Sequence, residues 1–99
     1  MAKFVFVYAG GGEMPNDPAV REAGMAAWMA WFGGLGAAVT DGGNPFGTST
    51  SVGATGGGTG ATGYSIVEAA DLAAAAEMAK GCPILAHGGG VEVHEALSM

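Results

Sequence analysis

Hydrophobic and polar positions along this chain repeat with two different periods, and the period marks the elements. Lys3-Phe-Val-Phe-Val-Tyr8 is β-branched and aromatic with apolar residues on both faces. That composition predicts a strand in the middle of a sheet. Gly10-Gly-Gly12 ends it, and Glu13 to Pro18 reads as a loop. From Pro18 the period lengthens. Met25, Trp28, Met29, Phe32, Leu35 and Val39 recur at spacings of three and four, the single apolar stripe of a helix running to about Gly34 or Gly36. Asp17 stands at its N-cap position and Pro18 in its first turn. The opposite face, Ala23, Ala26, Ala27, Ala30 and Gly33, is small rather than charged, so another backbone can approach it closely.

Ala37 to Thr40 predicts a short second strand, and the turn formers Asp41-Gly-Gly-Asn-Pro-Phe-Gly47 follow it. Thr48 to Val52 offers a further short strand. Gly53 to Gly63 is almost wholly Gly, Thr and Ala; it has no side chains to build a core and reads as a mobile loop. Tyr64-Ser-Ile-Val-Glu68 alternates as a strand. Asp71 caps a second, Ala-rich helix over Leu72 to Lys80, which Gly81 and Pro83 terminate. Cys82 to Ala86 suits one extra turn. Val91 to Leu97 predicts the last strand, with Val91 and Val93 on one face and Glu92 and His94 on the other. Strand, helix, strand, loop, strand, helix, strand is the split βαβ order of a ferredoxin-like α+β fold, βαββαβ, here as a single domain over residues 1–99.

Composition changes this picture in one respect. Of the 99 residues, 49% are hydrophobic and 12% charged, about half the usual charged share of roughly 25%. A domain of this size buries only about 60–65% of its unfolded surface, so too few charges remain to cover a monomer, and a homodimer is expected. The net charge is −6 with only Lys3, Arg21 and Lys80 positive. Phosphate backbones and anionic membrane surfaces both require clustered cations, so neither nucleic acid nor a membrane is expected as a partner. Ala23 to Val39 carries no charge, but Gly24, Gly33, Gly34 and Gly36 dilute it, and a span needs about 20 apolar residues. Phe4 to Ala9 is too short for the core of a signal peptide. Cys82 is the sole cysteine; no internal disulfide is possible, which fits a reducing, cytoplasmic setting.

Several landmarks occur in order along nearly the whole chain: Trp28-Met-Ala-Trp31, Leu35-Gly36, Asp41-Gly-Gly-Asn-Pro45, Gly63-Tyr-Ser-Ile66, Glu68, Ala79, Cys82-Pro83 and Val91-Glu-Val93. In these the chain resembles the YCII-related family, in the branch named for an Asp-Gly-Pro-Phe motif after the second strand. Gly43 and Asn44 are inserted here before Pro45-Phe46. The resemblance implies a ferredoxin-like subunit whose sheet packs against that of a second copy as a dimeric α/β barrel. In some relatives it also implies a His–Asp pair, the His early in the first helix; the matching region here holds Met25 and Trp28 and no histidine.

The candidate chemistry is sparse. Asp41 stands at a strand end in the family motif, where it would act as a proton carrier or would cap the turn at Gly42 or Gly43. His87 lies in Ala86-His87-Gly-Gly-Gly90. No Gly-x-Ser-x-Gly elbow accompanies it, so this is not an esterase oxyanion loop; as a loop histidine it can enter a pocket. Trp31, at the edge of the stripe, is the better candidate for a pocket, whereas Trp28, on the stripe, is expected in the core. Tyr64 and Ser65 could present hydroxyls to a ligand, and Asn44 lies in the insertion beside them. Cys82, His87 and His94 lack metal-ligand spacing, so no metal is expected. Gly58-Thr-Gly60-Ala-Thr-Gly63 opens a strand rather than a helix, and no Gly-Lys-Ser/Thr occurs, so no nucleotide cofactor is expected. The chain therefore reads as binding a small molecule in a pocket of a homodimeric barrel, or as an enzyme using Asp41 with His87 or Tyr64. The remaining reading is a non-catalytic regulatory or structural homo-oligomer.

Overall fold

The structure, a computed structural model, describes residues 1–11, 16–55 and 60–98. Its elements are β1 (Ala2–Ala9), α1 (Pro18–Leu35), a 3-10 turn (Gly36–Ala38), β2 (Val39–Asp41), β3 (Ala61–Ala69), α2 (Leu72–Ala79), a second 3-10 turn (Pro83–His87) and β4 (Gly90–Ala96). The four strands form one sheet in the order β2-β3-β1-β4, and every adjacent pair is antiparallel. This is the ferredoxin-like arrangement, with β1 central.

Both helices start where local chemistry demands. The Asp17 carboxylate accepts the Ala19 N–H at 2.9 Å and that of Asp71 accepts the Ala74 N–H at 2.8 Å, satisfying donors that have no intrahelical partner. Gly36 ends α1 with φ +59°. The chain tightens there into a 3-10 turn, so β2 begins at Val39 rather than Ala37.

Two further expectations are corrected. Thr48 to Val52 is not a strand. Its one large apolar side chain, Val52, is 85% exposed, and the rim of β3 is already taken by Asn44–Phe46: Phe46 N–H donates to Thr62 O at 2.8 Å and Tyr64 N–H to Asn44 O at 3.3 Å. For the same reason β3 starts at Ala61, inside the run read as a loop. Residues 56–59 of that run, with part of its Gly58–Gly63 pattern, lie outside the described residues, as do Gly12 and residues 13–15 of the loop before Pro18.

The core lies on one face of the sheet. Phe4, Phe6 and Tyr8 of β1 and Ser65, Val67 and Ala69 of β3 point towards the helices, joined by Ala75, Ala79, Cys82 and Ile84. Burial pushes the Cys82 thiol up, which leaves it a poor nucleophile. From α1, Trp28 and Trp31 pack against this core, and Phe32 packs on both of them. Met25 and Met29, which share the stripe by spacing, are 66% and 71% exposed, because the helix meets the sheet along a narrower arc than its apolar period covers. Among the described residues the other face of the sheet carries no helix. Val5, Val7, Tyr64 and Ile66 are half-buried there, with Glu92 and His94 of β4 opposite Val7 and Val5. Among the described residues no helix is long and apolar enough to cross a membrane.

Candidate functional site

Between α1 and the sheet lies a cavity of about 350 Å³, walled by Trp28, Phe32, Tyr8 and Ile84 and closed at one side by Gly42 to Pro45 and by Thr62 to Ser65. Its walls follow from alternation. Every second residue of β1 and β3 points at the helix layer, which brings Tyr8 and Ser65 to the same face. Tyr8 stands opposite Gly63 in the ladder. A Cβ at Gly63 would press on the Asn44 carbonyl oxygen at 3.2 Å and on Pro45 Cα at 3.3 Å, so the missing side chain lets the rim segment lie close against β3 beside the phenol. Ser65 is two residues further on, within diagonal reach across an antiparallel pair.

The buried polar part of the cavity is one short chain of hydrogen bonds. The Tyr8 hydroxyl donates to Ser65 Oγ at 2.7 Å, and the Ser65 hydroxyl donates to the Gly42 carbonyl at 2.7 Å. Ser65 is completely buried. Burial pushes the Tyr8 phenol up to about 12, against the lowering effect of its bond to Ser65; nearby Cys82 adds a smaller rise. Tyr8 therefore stays neutral through the physiological range. The aromatic wall is built edge to face: Tyr8 and Trp28 meet at 5.0 Å and 88°, and Trp28 and Trp31 at 5.7 Å and 79°, a geometry that matches ring edges to ring faces.

Gly43 sets the rim. Its φ is +73°, and a Cβ there would overlap the Tyr64 carbonyl oxygen. Both the backbone conformation and the contact therefore require glycine. The Asp41 carboxylate fixes the same turn, accepting the Gly43 N–H at 2.8 Å.

The expected site residues divide. Ser65, Asn44 and Tyr64 line the cavity. The Tyr64 ring, however, alternates onto the opposite face of the sheet and stacks on Phe46 at 5.8 Å. Both tryptophans pack against the core, but it is Trp28 and not Trp31 that lines the cavity. Trp28 walls the cavity, whereas Trp31 donates its indole N–H to Met78 O at 3.0 Å and stacks on Phe6 at 6.0 Å. Trp31 thus ties α1 to α2. Asp41 is exposed at the turn beside the cavity and does not line it; His87, exposed at the end of the second 3-10 turn, does not line it either. His94 and Glu92 pair at 2.6 Å on the helix-free face. Among the described residues no three His, Cys, Asp or Glu side chains converge as a metal site. Sequence reasoning missed Tyr8. Its signal was present in the alternation of Phe4, Phe6 and Tyr8, since a buried hydroxyl ending an apolar row must find a partner.

No protein-family model and no curated protein matches the chain. Among solved structures, the chain is similar to 5-chloro-2-hydroxyhydroquinone dehydrochlorinase from Burkholderia phenoliruptrix, determined in complex with 2,5-dihydroxybenzoquinone. The two share 19% identity over 100% of this chain and 96% of that one, with a TM-score of 0.61. The likeness is one of fold.

Proposed function

We propose that this chain is a small-molecule-binding protein, a YCII-related subunit of a homodimeric α/β barrel in the cytoplasm, and that the cavity between α1 and the sheet is its site. The observation that carries this reading is the cavity's make-up: about 350 Å³, walled by aromatic rings, with a single buried polar pair, Tyr8 and Ser65. Ligand pockets typically run from roughly 300 to 1,000 Å³ with a few convergent polar groups on apolar walls. Ring walls of this kind select a planar, uncharged ligand. The dihydroxybenzoquinone held by the solved protein of like fold is likewise a planar ring. The bare sheet face, with Val5, Val7, Tyr64 and Ile66, supports pairing with a second copy, because a sheet with one uncovered apolar face gains by burying it.

The test is a thermal-shift and fluorescence titration with small aromatic compounds on the wild type and on Trp28→Ala. Saturable binding that weakens at least tenfold in the variant is expected; equal affinity in both places the ligand elsewhere. Light scattering at micromolar concentration should give the mass of a dimer.

A second reading makes the same cavity catalytic, with Asp41 as proton carrier and His87 or Tyr64 assisting. It is favoured by one observation: Asp41 immediately precedes the Gly42–Pro45 rim, with its carboxylate exposed. Asp41→Asn should then abolish turnover of any substrate found. Undiminished turnover removes Asp41 from the chemistry.

A further inference from the structure

The hydrogen-bond chain at the buried end of the cavity has a forced direction. A carbonyl oxygen only accepts, so the one Ser65 proton is committed to Gly42 O, 2.7 Å away. Ser65 Oγ can then face Tyr8 only as an acceptor, and at 2.7 Å the proton between them must be the phenolic one. Both hydroxyl protons are spent inside the protein. The Tyr8 oxygen still holds lone-pair capacity, on a side chain that lines the cavity.

We infer that Tyr8 is a specificity-determining acceptor, its direction set by Ser65, and that the site takes ligands presenting a neutral hydroxyl donor, phenols, in preference to ligands presenting an ether or carbonyl acceptor at the same place. This rests on the cavity being the ligand site and adds which end of a hydrogen bond the ligand must bring. An acceptor atom placed against Tyr8 meets lone pair against lone pair, and its own lost hydration goes uncompensated. An anion fares worse, since no cation lines the cavity among the described residues. Other donors on the wall, the Asn44 amide and the Trp28 indole, are the same in all the proteins compared below and do not set the difference between them.

The direction can be reversed by one substitution. Ser65→Ala removes the acceptor that holds the Tyr8 proton, so the phenol can donate into the cavity. The probes are p-cresol and its methyl ether, 4-methylanisole, which differ only in the donor. Dissociation constants are measured by titration calorimetry on the full chain as wild type, Tyr8→Phe and Ser65→Ala, with circular dichroism as the check of folding. The wild type should bind p-cresol about tenfold more tightly, the equivalent of about 1.4 kcal/mol. Tyr8→Phe should bind the two alike. Ser65→Ala should shrink the preference below about threefold by gaining affinity for the ether. Equal binding of both probes by the wild type, or a preference that survives Tyr8→Phe, overturns the acceptor role while leaving the cavity as a site. Failure of both probes to bind any of the three proteins overturns the cavity reading itself, and this inference with it.

Discussion

The two helices cover the same sheet by opposite means. α2 is built of alanines, and two of them, Ala75 and Ala79, are buried. Side chains that short let the helix backbone settle onto the strands with nothing between. α1 is more than twice as long, 18 residues against 8, and buries none of them completely. It stands off the sheet on Trp28, Trp31 and Phe32, rings too large to let the backbone close. The gap beneath those props is the cavity. Side-chain size therefore decides where this small domain is sealed and where it is hollow, and apolar burial alone would not distinguish the two.

Four changes would break or sharpen that contrast. The largest effect is expected from Trp31→Ala, which removes the prop that also donates to Met78 across the helix layer. Loss of a large core aromatic costs about 3–5 kcal/mol, and Trp31 is only partly buried, so a loss near the lower end is expected in urea unfolding. Ala75→Leu tests the sealed side. A longer side chain at a position with zero exposure must wedge α2 away from the strands, at about 1–3 kcal/mol. An unchanged midpoint would show that α2 has room the structure does not show.

Tyr8→Phe comes third. It removes one hydrogen bond, worth about 1 kcal/mol, and it also changes the pH dependence. The phenol is pushed from 10.0 to about 12 by burial, so the native state holds its proton more tightly than the unfolded chain. The resulting stability is fully present below pH 10 and is lost as pH rises towards 12. Cys82, raised in the same sense, adds its own loss in the alkaline range. The difference between wild type and Tyr8→Phe isolates the phenol, and that difference should diminish between pH 10 and 12. A constant difference would contradict the burial of Tyr8. The smallest effect belongs to Lys80→Ala. Lys80 pairs with Glu77 at 2.6 Å on the outer side of α2, both side chains 69% exposed, and exposed pairs contribute about 0–1 kcal/mol. A midpoint within error of wild type is expected.

Much of the fold was legible because its signals are local. The N-caps Asp17 and Asp71, the β-branched and aromatic run Lys3–Tyr8, the alternation in Tyr64–Glu68, and the alanines of Leu72–Ala79 each act within a few residues, and each element formed where they indicated. Thr48–Val52 was misread because strand propensity does not say whether a free strand edge exists to pair with. The candidate site was legible only in part. Ser65 falls on the cavity by alternation and Asn44 by neighbourhood, whereas Tyr64 borders it with its ring on the other face of the sheet. Tyr8 was passed over because an apolar row hides its last hydroxyl, and Trp31 was chosen over Trp28 for the pocket because three residues of helix separate a wall from a brace.

What the sequence by itself determined is which residues share a face, since helical and strand periods are properties of the backbone. Only tertiary structure decided which of those faces meet. Tyr8 and Ser65 are 57 positions apart, and their contact exists because β1 and β3 lie antiparallel in a register that sets Gly63 opposite the phenol. The height of α1 above the sheet likewise follows from rings packing against rings across the two layers, a distance that no local propensity encodes.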